Sequence, residues 1–191
     1  MDTSQLEIWR GEFGNDYFER SRVDIALRAD AFSTILQGLH LSSVLEVGCG
    51  LGQNLQALVR SGLVQSVKGV EPSLYARELP HPGLVIVNGS CFSIPFADKT
   101  FDLVFTCGVL MHVAQYDLFR ALAEISRVSN KYLLAIEYHS LEEEVIEWHG
   151  QKDLLWKRDY EKLMPGKLLR QGFLSRDRGF DSCHWWLTEK S

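Results

Sequence analysis

Proline is scarce in this chain, 5 of 191 residues, and cysteine scarcer still: Cys49, Cys91, Cys107 and Cys183 are widely spaced, with no Cys-x-x-Cys pair. No histidine stands at zinc-ligand spacing from them either, so neither a disulfide framework nor a structural zinc accounts for stability, and reduced thiols with no bound metal are expected. Basic residues have no surplus, since 20 Lys and Arg face 25 Asp and Glu for a formal charge of −5. Such a chain has no overall attraction to phosphate backbones or anionic lipid, which argues against nucleic-acid and membrane partners. Long apolar runs are missing as well. The longest, residues 103–111, is interrupted by Thr106 and falls far short of the ~20 residues that cross a bilayer as a helix. Residues 1–10 carry Asp2 and Glu7 without an apolar stretch, so no secretory signal is expected. A soluble, cytoplasmic protein is expected.

What is there is an ordinary globular composition, 46% hydrophobic and 24% charged. Apolar runs rich in Val, Leu, Ile and Phe recur at residues 43–47, 67–70, 84–87, 101–106 and 131–136, as strands covered on both faces require. Helical spacing fills residues 22–39, 53–61 and 117–129, while 168–175 and 184–189 suit a closing pair of strands. That alternation predicts an α/β fold around a mostly parallel sheet. One domain is expected, with residues 1–40 a helical cap or lid and 41–191 the core. Glu142, Glu143 and Glu144 predict a solvated helix face.

The sharpest local signal is Val44-Leu45-Glu46-Val47-Gly48-Cys49-Gly50-Leu51-Gly52, a strand running into glycine at every second position. Side chains there would block a nucleoside and its charged tail from the free N–H groups of the next helix. A bare tight turn is the competing explanation. Gln53 stands where a dinucleotide fingerprint wants its third glycine, and no Gly-Lys-Ser/Thr follows, so the pyrophosphate-binding versions fit badly. Glu71 closes the second predicted strand, 25 residues beyond Glu46, where a carboxylate can accept both hydroxyls of a ribose lying across the strand ends.

Glu46 to Gly52, then Glu71, then Phe101-Asp102-Leu103-Val104-Phe105 resemble the successive motifs of class I S-adenosylmethionine-dependent methyltransferases. The resemblance implies a Rossmann-like three-layer sandwich with a mostly parallel seven-stranded sheet and an antiparallel final strand. It implies S-adenosylmethionine as cofactor, held by Glu46, Gly48, Gly50, Gly52, Asn54, Glu71, Pro72, Ser90, Cys91, Phe92 and Cys107. Gly89-Ser90 departs from the Gly-Asp pair that many such enzymes place against the adenine. Over nearly the whole chain, Trp9-Arg10-Gly11-Glu12-Phe13-Gly14, Tyr17, Gly108-Val109-Leu110-Met111-His112, Glu137-Tyr138, Lys157-Arg158-Asp159-Tyr160 and Trp185 to Lys190 are similar to the pseudaminic acid biosynthesis-associated methyltransferases. His149-Gly150 departs from the Arg-Gly of that pattern.

Methyl transfer from a sulfonium needs alignment, exclusion of water and a destination for a proton. His112, Glu137 and Tyr138, at predicted strand ends, are the catalytic candidates. His112 titrates near working pH as a base or orienting group, or is a packed structural histidine. Glu137 and Tyr138 suit an amine or guanidinium, although Glu137 pairing with a C-terminal arginine is an equal alternative. Trp9, Glu12, Phe13 and Tyr17, together with Trp185, His112, Glu137 and Tyr138, are the acceptor-binding candidates. Trp9, Phe13 and Tyr17 are four apart and share a helical face, either packed on the sheet or serving as a lid hinged at Gly11 and Gly14. The acceptor expected is N or O of a small polar metabolite: an amine, guanidine, amino acid or amino-sugar derivative. A non-catalytic donor-binding scaffold and a nicotinamide-dependent oxidoreductase are the alternatives.

Overall fold

A computed structural model describes residues 3–190. The chain opens with short helices α1 (Ser4–Arg10) and α2 (Glu12–Arg20) and the longer α3 (Ile25–Ile35). Strand β1 (Leu41–Val47) leads through α4 (Gln53–Ser61) to β2 (Val64–Glu71), followed by α5 (Leu74–Glu78), β3 (Val85–Asn88) and β4 (Phe101–Cys107). A 3-10 turn, Leu110–His112, precedes α6 (Gln115–Val128) and β5 (Ser129–Glu137). A hairpin of β6 (Glu144–Trp148) and β7 (Gln151–Lys157) comes next, then α7 (Tyr160–Leu163), β8 (Lys167–Leu174) and β9 (Cys183–Glu189).

Seven strands form one sheet in the order β3-β2-β1-β4-β5-β9-β8. Every pairing is parallel except those of β9, which runs antiparallel to both β5 and β8. The strand order reverses between β1 and β4, so the loops at their carboxyl ends part and leave a crevice there. Both faces of the sheet are covered. Val44, Leu103, Phe105 and Leu134 meet Phe32, Ile35, Leu55 and Leu58 of α3 and α4. Their strand neighbours Leu45, Val104 and Leu133 point the other way, into Leu118, Ala121 and Ile125 of α6. Successive side chains of one strand thus enter two different cores, which is why these strands read as unbroken apolar runs. Truncating one of them, Leu45→Ala for instance, costs on the order of 2–5 kcal/mol.

Two sequence expectations change. The helix expected over residues 22–39 starts only at Ile25, because the Asp24 carboxylate accepts the N–H groups of Ala26 and Leu27 (2.8 and 3.1 Å) and ends the preceding extended chain. The acidic run is an exposed bend entering β6 and is not helical. Left-handed His149 and Gly150 (φ 49° and 77°) join Trp148 to its pairing partner Gln151, the two-residue turn that matches strand twist. Trp185 and Trp186 alternate across β9, as residues of a strand do: Trp185 enters one core and packs over Gly172, and Trp186 enters the other, with the side chains of α6. Among the described residues, no helix is long and apolar enough to cross a membrane.

Candidate active site

The glycine turn lies at the carboxyl end of β1. Gly48, Gly50 and Gly52 all hold left-handed backbone, with φ of 73°, 50° and 69°. Gly50 has a second reason to lack a side chain: a Cβ there would stand 3.0 Å from the Phe18 ring of α2. Its N–H donates to Glu71 Oε2 at 2.8 Å, and the Ser73 N–H donates to Glu71 Oε1 at the same distance. The two motifs picked out in the sequence are therefore bonded to each other. Gly52 serves differently from expectation. It caps α4 and packs against Leu84 and Ile86, away from the cleft lining.

Glu46, the last inward acid of β1, is 1% exposed. Its Oε1 accepts from Asn54 Nδ2 at 2.6 Å, and Asn54 Oδ1 accepts in turn from Arg28 Nη1 at 2.5 Å. Its Oε2 is buried with no partner among the described residues. Burial pushes the Glu46 carboxyl up to about 8, against the Asn54 hydrogen bond, and pushes Glu71 up to about 7, against the Ser73 and Gly50 N–H groups. Two desolvated acids beside a glycine turn invite groups that favour their charged forms.

These residues border a cavity of about 780 Å³, near the top of the ~300–1,000 Å³ range of small-molecule sites. Glu46, Gly48, Gly50, Asn54, Glu71 and Pro72 line it, as do Ser90, Cys91, Phe92 and Cys107. Ser90 Oγ accepts the Phe92 N–H at 3.2 Å and keeps its own hydrogen to donate. Burial pushes the thiols of Cys91 and Cys107 up to about 12, so they remain protonated and unreactive.

The turn after β4 is gripped from two sides. Glu137, fully buried at the end of β5, accepts from Thr106 Oγ1 (2.8 Å), Val109 N (3.2 Å) and Leu110 N (3.1 Å) through Oε1, and from Met111 N (3.2 Å) through Oε2. Arg158 donates Nη1 to the Leu110 carbonyl at 3.2 Å and Nε to Glu143 at 2.5 Å. With its oxygens occupied, Glu137 does not line the cleft and pairs with no C-terminal arginine, so the substrate-holding role expected of it gives way to shaping the turn. That turn presents His112, whose Nδ1 lies 2.6 Å from the Leu154 carbonyl on β7. A carbonyl only accepts, so Nδ1 carries the hydrogen and Nε2 the lone pair. Burial lowers His112 to about 4. Tyr138 lines the cleft and gives its hydroxyl to Asp181 (2.5 Å), which also takes Arg176 Nε at 3.2 Å.

Aromatic rings roof the cavity. The expected single face of Trp9, Phe13 and Tyr17 is split by the break at Gly11, yet the rings converge because Gly14 lets α2 press on the backbone of Trp9. Trp9 lies 5.8 Å from Phe13, 5.2 Å from Tyr17 and 4.7 Å from His112, centroid to centroid. Trp148, at the tip of the hairpin, touches Trp9, Phe13, Tyr17 and His112 at 5.9, 5.8, 5.7 and 5.1 Å. Gln5 Nε2 ties α1 to the hairpin through the Asp153 carbonyl at 3.2 Å.

Of the expected acceptor residues, Trp9, Tyr17, His112 and Tyr138 line the cleft, while Phe13 stands behind them and the exposed Glu12 and the core residue Trp185 lie elsewhere. Sequence reasoning missed Trp148, Phe18, Arg28 and Asp181, all of which line it. His149-Gly150 was the available signal for Trp148, since a residue pair tolerating left-handed backbone predicts a hairpin rather than a helix.

A nucleoside with a methionine tail fits what this chain offers. The unpartnered Glu46 Oε2 suits an ammonium, Glu71 retains lone pairs for ribose hydroxyls, and Ser90, Cys91 and Phe92 form a partly polar slot for a base. Residues 45–132 match the family model described as a methyltransferase domain. No curated protein matches the chain. Among solved structures, a methyltransferase of an antibiotic biosynthesis pathway from Anabaena variabilis, described as putative in its own name, is 22% identical over 58% of this chain, with a TM-score of 0.50; the chain spans 44% of its length. A Burkholderia thailandensis 1,6-didemethyltoxoflavin-N1-methyltransferase, solved with that compound and S-adenosylhomocysteine, is 15% identical over 93% of this chain and 82% of its own, TM-score 0.70. A Haloferax volcanii methyltransferase, solved with the Trm112 activator, is 15% identical over the full length of both chains, TM-score 0.67. The fold is the Rossmann-like one of class I methyltransferases. Residues 45–132, a little under half of the chain, are similar to a methyltransferase domain, and the Burkholderia protein solved with S-adenosylhomocysteine shares this fold.

Proposed function

We propose that this protein transfers a methyl group from S-adenosylmethionine to nitrogen or oxygen of a small metabolite. One observation carries the reading: the glycine turn with its two buried acids and the lone-pair nitrogen of His112 belong to one cleft, with aromatic rings beside it. Glu71 would hold the ribose, Glu46 with Asn54 the ammonium, and Ser90 and Phe92 the adenine. When bound, the cofactor supplies an electrophilic methyl carbon on a sulfonium that leaves as a neutral thioether.

His112 handles the proton. Held by Leu154 in one tautomer, it is neutral at pH 7 and accepts through Nε2. A weak base suffices where the acceptor is a hydroxyl or a non-basic N–H, because such an atom is strongly acidic once it has gained a methyl cation. Tyr138 has given its hydrogen to Asp181, so its ring rather than its hydroxyl faces a ligand. Residues 1–40 serve as lid to a single domain, acting as monomer or homodimer. The narrower kinship with pseudaminic acid biosynthesis-associated methyltransferases belongs to the same reading. Its marker residues Trp9, Tyr17, His112, Glu137 and Arg158 all roof the cleft or shape its turn. The Burkholderia protein, on the same fold, is named for methylating nitrogen of a small compound.

Calorimetry with S-adenosylhomocysteine, followed by mass spectrometry of a metabolite extract incubated with deuterated methyl donor, tests this. Binding and a product heavier by one labelled methyl group are expected. Failure to bind would sink the reading, and binding without any labelled product would favour a non-catalytic donor-binding protein.

A further inference from the structure

The acceptor end of the cleft has a definite chemistry. Five rings surround the indole of Trp148: those of Trp9, Phe13, Tyr17 and His112, and that of its own neighbour His149. Aromatic walls of this kind suit either a cation or a flat ring, and the charges decide between them. Asp24 caps α3, and Asp181 is taken by Tyr138 and Arg176. Glu46 and Glu71 lie at the glycine turn, and Glu137 is spent on backbone N–H groups. The carboxylates that line the cleft, Asp24, Glu46, Glu71 and Asp181, all stand on other segments than the rings around Trp148, and Arg20, Arg22, Arg28 and Arg176 line the same cleft, so its charge does not favour a cation. The guanidinium of Arg20 already lies 5.7 Å from the Tyr17 ring centre, where a cationic guest would otherwise sit. An amino sugar fares no better, since its hydroxyls would lose water against rings that return few hydrogen bonds.

Among the polar features beside the rings, two bear on an acceptor. His112 Nε2 is a hydrogen-bond acceptor, and the Trp9 indole N–H is buried with no partner among the described residues. Resting on the methyl-transfer reading of this cleft, we infer that the acceptor is a planar aromatic or heteroaromatic compound, neutral or anionic, that stacks at Trp148 and presents an acidic N–H or O–H to His112. Trp148 is then the specificity-determining residue, and the expected aliphatic amines, guanidines and amino sugars are poor substrates.

The test uses the full chain saturated with S-adenosylhomocysteine and four probes: 2-naphthol and lumazine as flat N–H or O–H compounds, agmatine as a cation, and glucosamine. Calorimetry should show a flat probe binding at least about tenfold more tightly than agmatine or glucosamine. Trp148→Ala should lose roughly tenfold for the flat probe and Trp148→Phe should keep most of the affinity, with S-adenosylhomocysteine binding unchanged in both. Tighter binding of agmatine or glucosamine, or undiminished 2-naphthol binding in Trp148→Ala, would overturn the inference. S-adenosylhomocysteine binding with no response to either flat probe would overturn it alone, whereas no S-adenosylhomocysteine binding would overturn the underlying methyl-transfer reading.

Discussion

His112 donates its Nδ1 hydrogen to the Leu154 carbonyl, joining the turn after β4 to the hairpin that carries Trp148. One side chain thus performs two separable jobs, pinning the hairpin and offering Nε2 to the cleft. Asparagine reproduces the N–H near the Nδ1 position and nothing at Nε2. His112→Asn should therefore keep S-adenosylhomocysteine affinity within about threefold and lower kcat on the order of 10²- to 10⁴-fold, the usual yield of a positioned base. Recovery of full activity by asparagine, measured by steady-state kinetics, would instead make His112 a structural pin.

Glu71 is bonded to the glycine turn before any ligand arrives. Glu71→Ala removes both the ribose acceptor and that tether, and should weaken S-adenosylhomocysteine by about 1–3 kcal/mol, the scale of hydrogen bonds to a charged group. Calorimetry reads the shift, and circular dichroism checks that the sheet survives. An unchanged Kd would remove the ribose assignment.

Donor affinity should rise with pH. Burial holds Glu46 near 8 and Glu71 near 7, so both are largely protonated in the free protein at pH 6. An ammonium at Glu46 and ribose hydroxyls at Glu71 favour the carboxylates, so binding releases protons and tightens as pH rises from 6 to 8, by up to about tenfold per proton per unit. Glu46→Gln should halve the proton release seen by calorimetry in buffers of different ionisation heat, leaving the part centred near 7. A flat profile in the wild type would refute the linkage.

Glu137→Gln tests the turn. An amide can keep the Thr106, Val109 and Leu110 bonds at its oxygen, but its NH₂ then meets the Met111 N–H donor to donor. Tm should fall by several degrees, since ~1 kcal/mol moves a domain of this size by roughly 2–4 °C. Raised KM with unchanged Tm would return Glu137 to a substrate-holding role.

Much of the cleft around the glycine turn was legible because its information is local. Glu46, the glycine turn and Asn54 lie on one strand-turn-helix unit, and Glu71 ends the adjacent parallel strand. The aromatic end of the cleft is assembled from distant pieces, which pattern reasoning does not reach. Trp148 arrives on a hairpin whose charged flank resembled a helix, and its ring partners come from α1, α2 and the turn after β4. Glu137 was recognised as important and given the wrong partners. Those partners are backbone N–H groups 26 to 28 positions earlier, which leave no trace in side-chain composition.

Gly14 sets the angle between α1 and α2, because any Cβ at that position would collide with the carbonyl of Trp9. The cluster of rings over the cleft is therefore contingent on a single missing methyl group: a side chain at position 14 would push α1 and α2 apart and rebuild that ceiling, with no change to the sequence of the glycine turn or to Glu71.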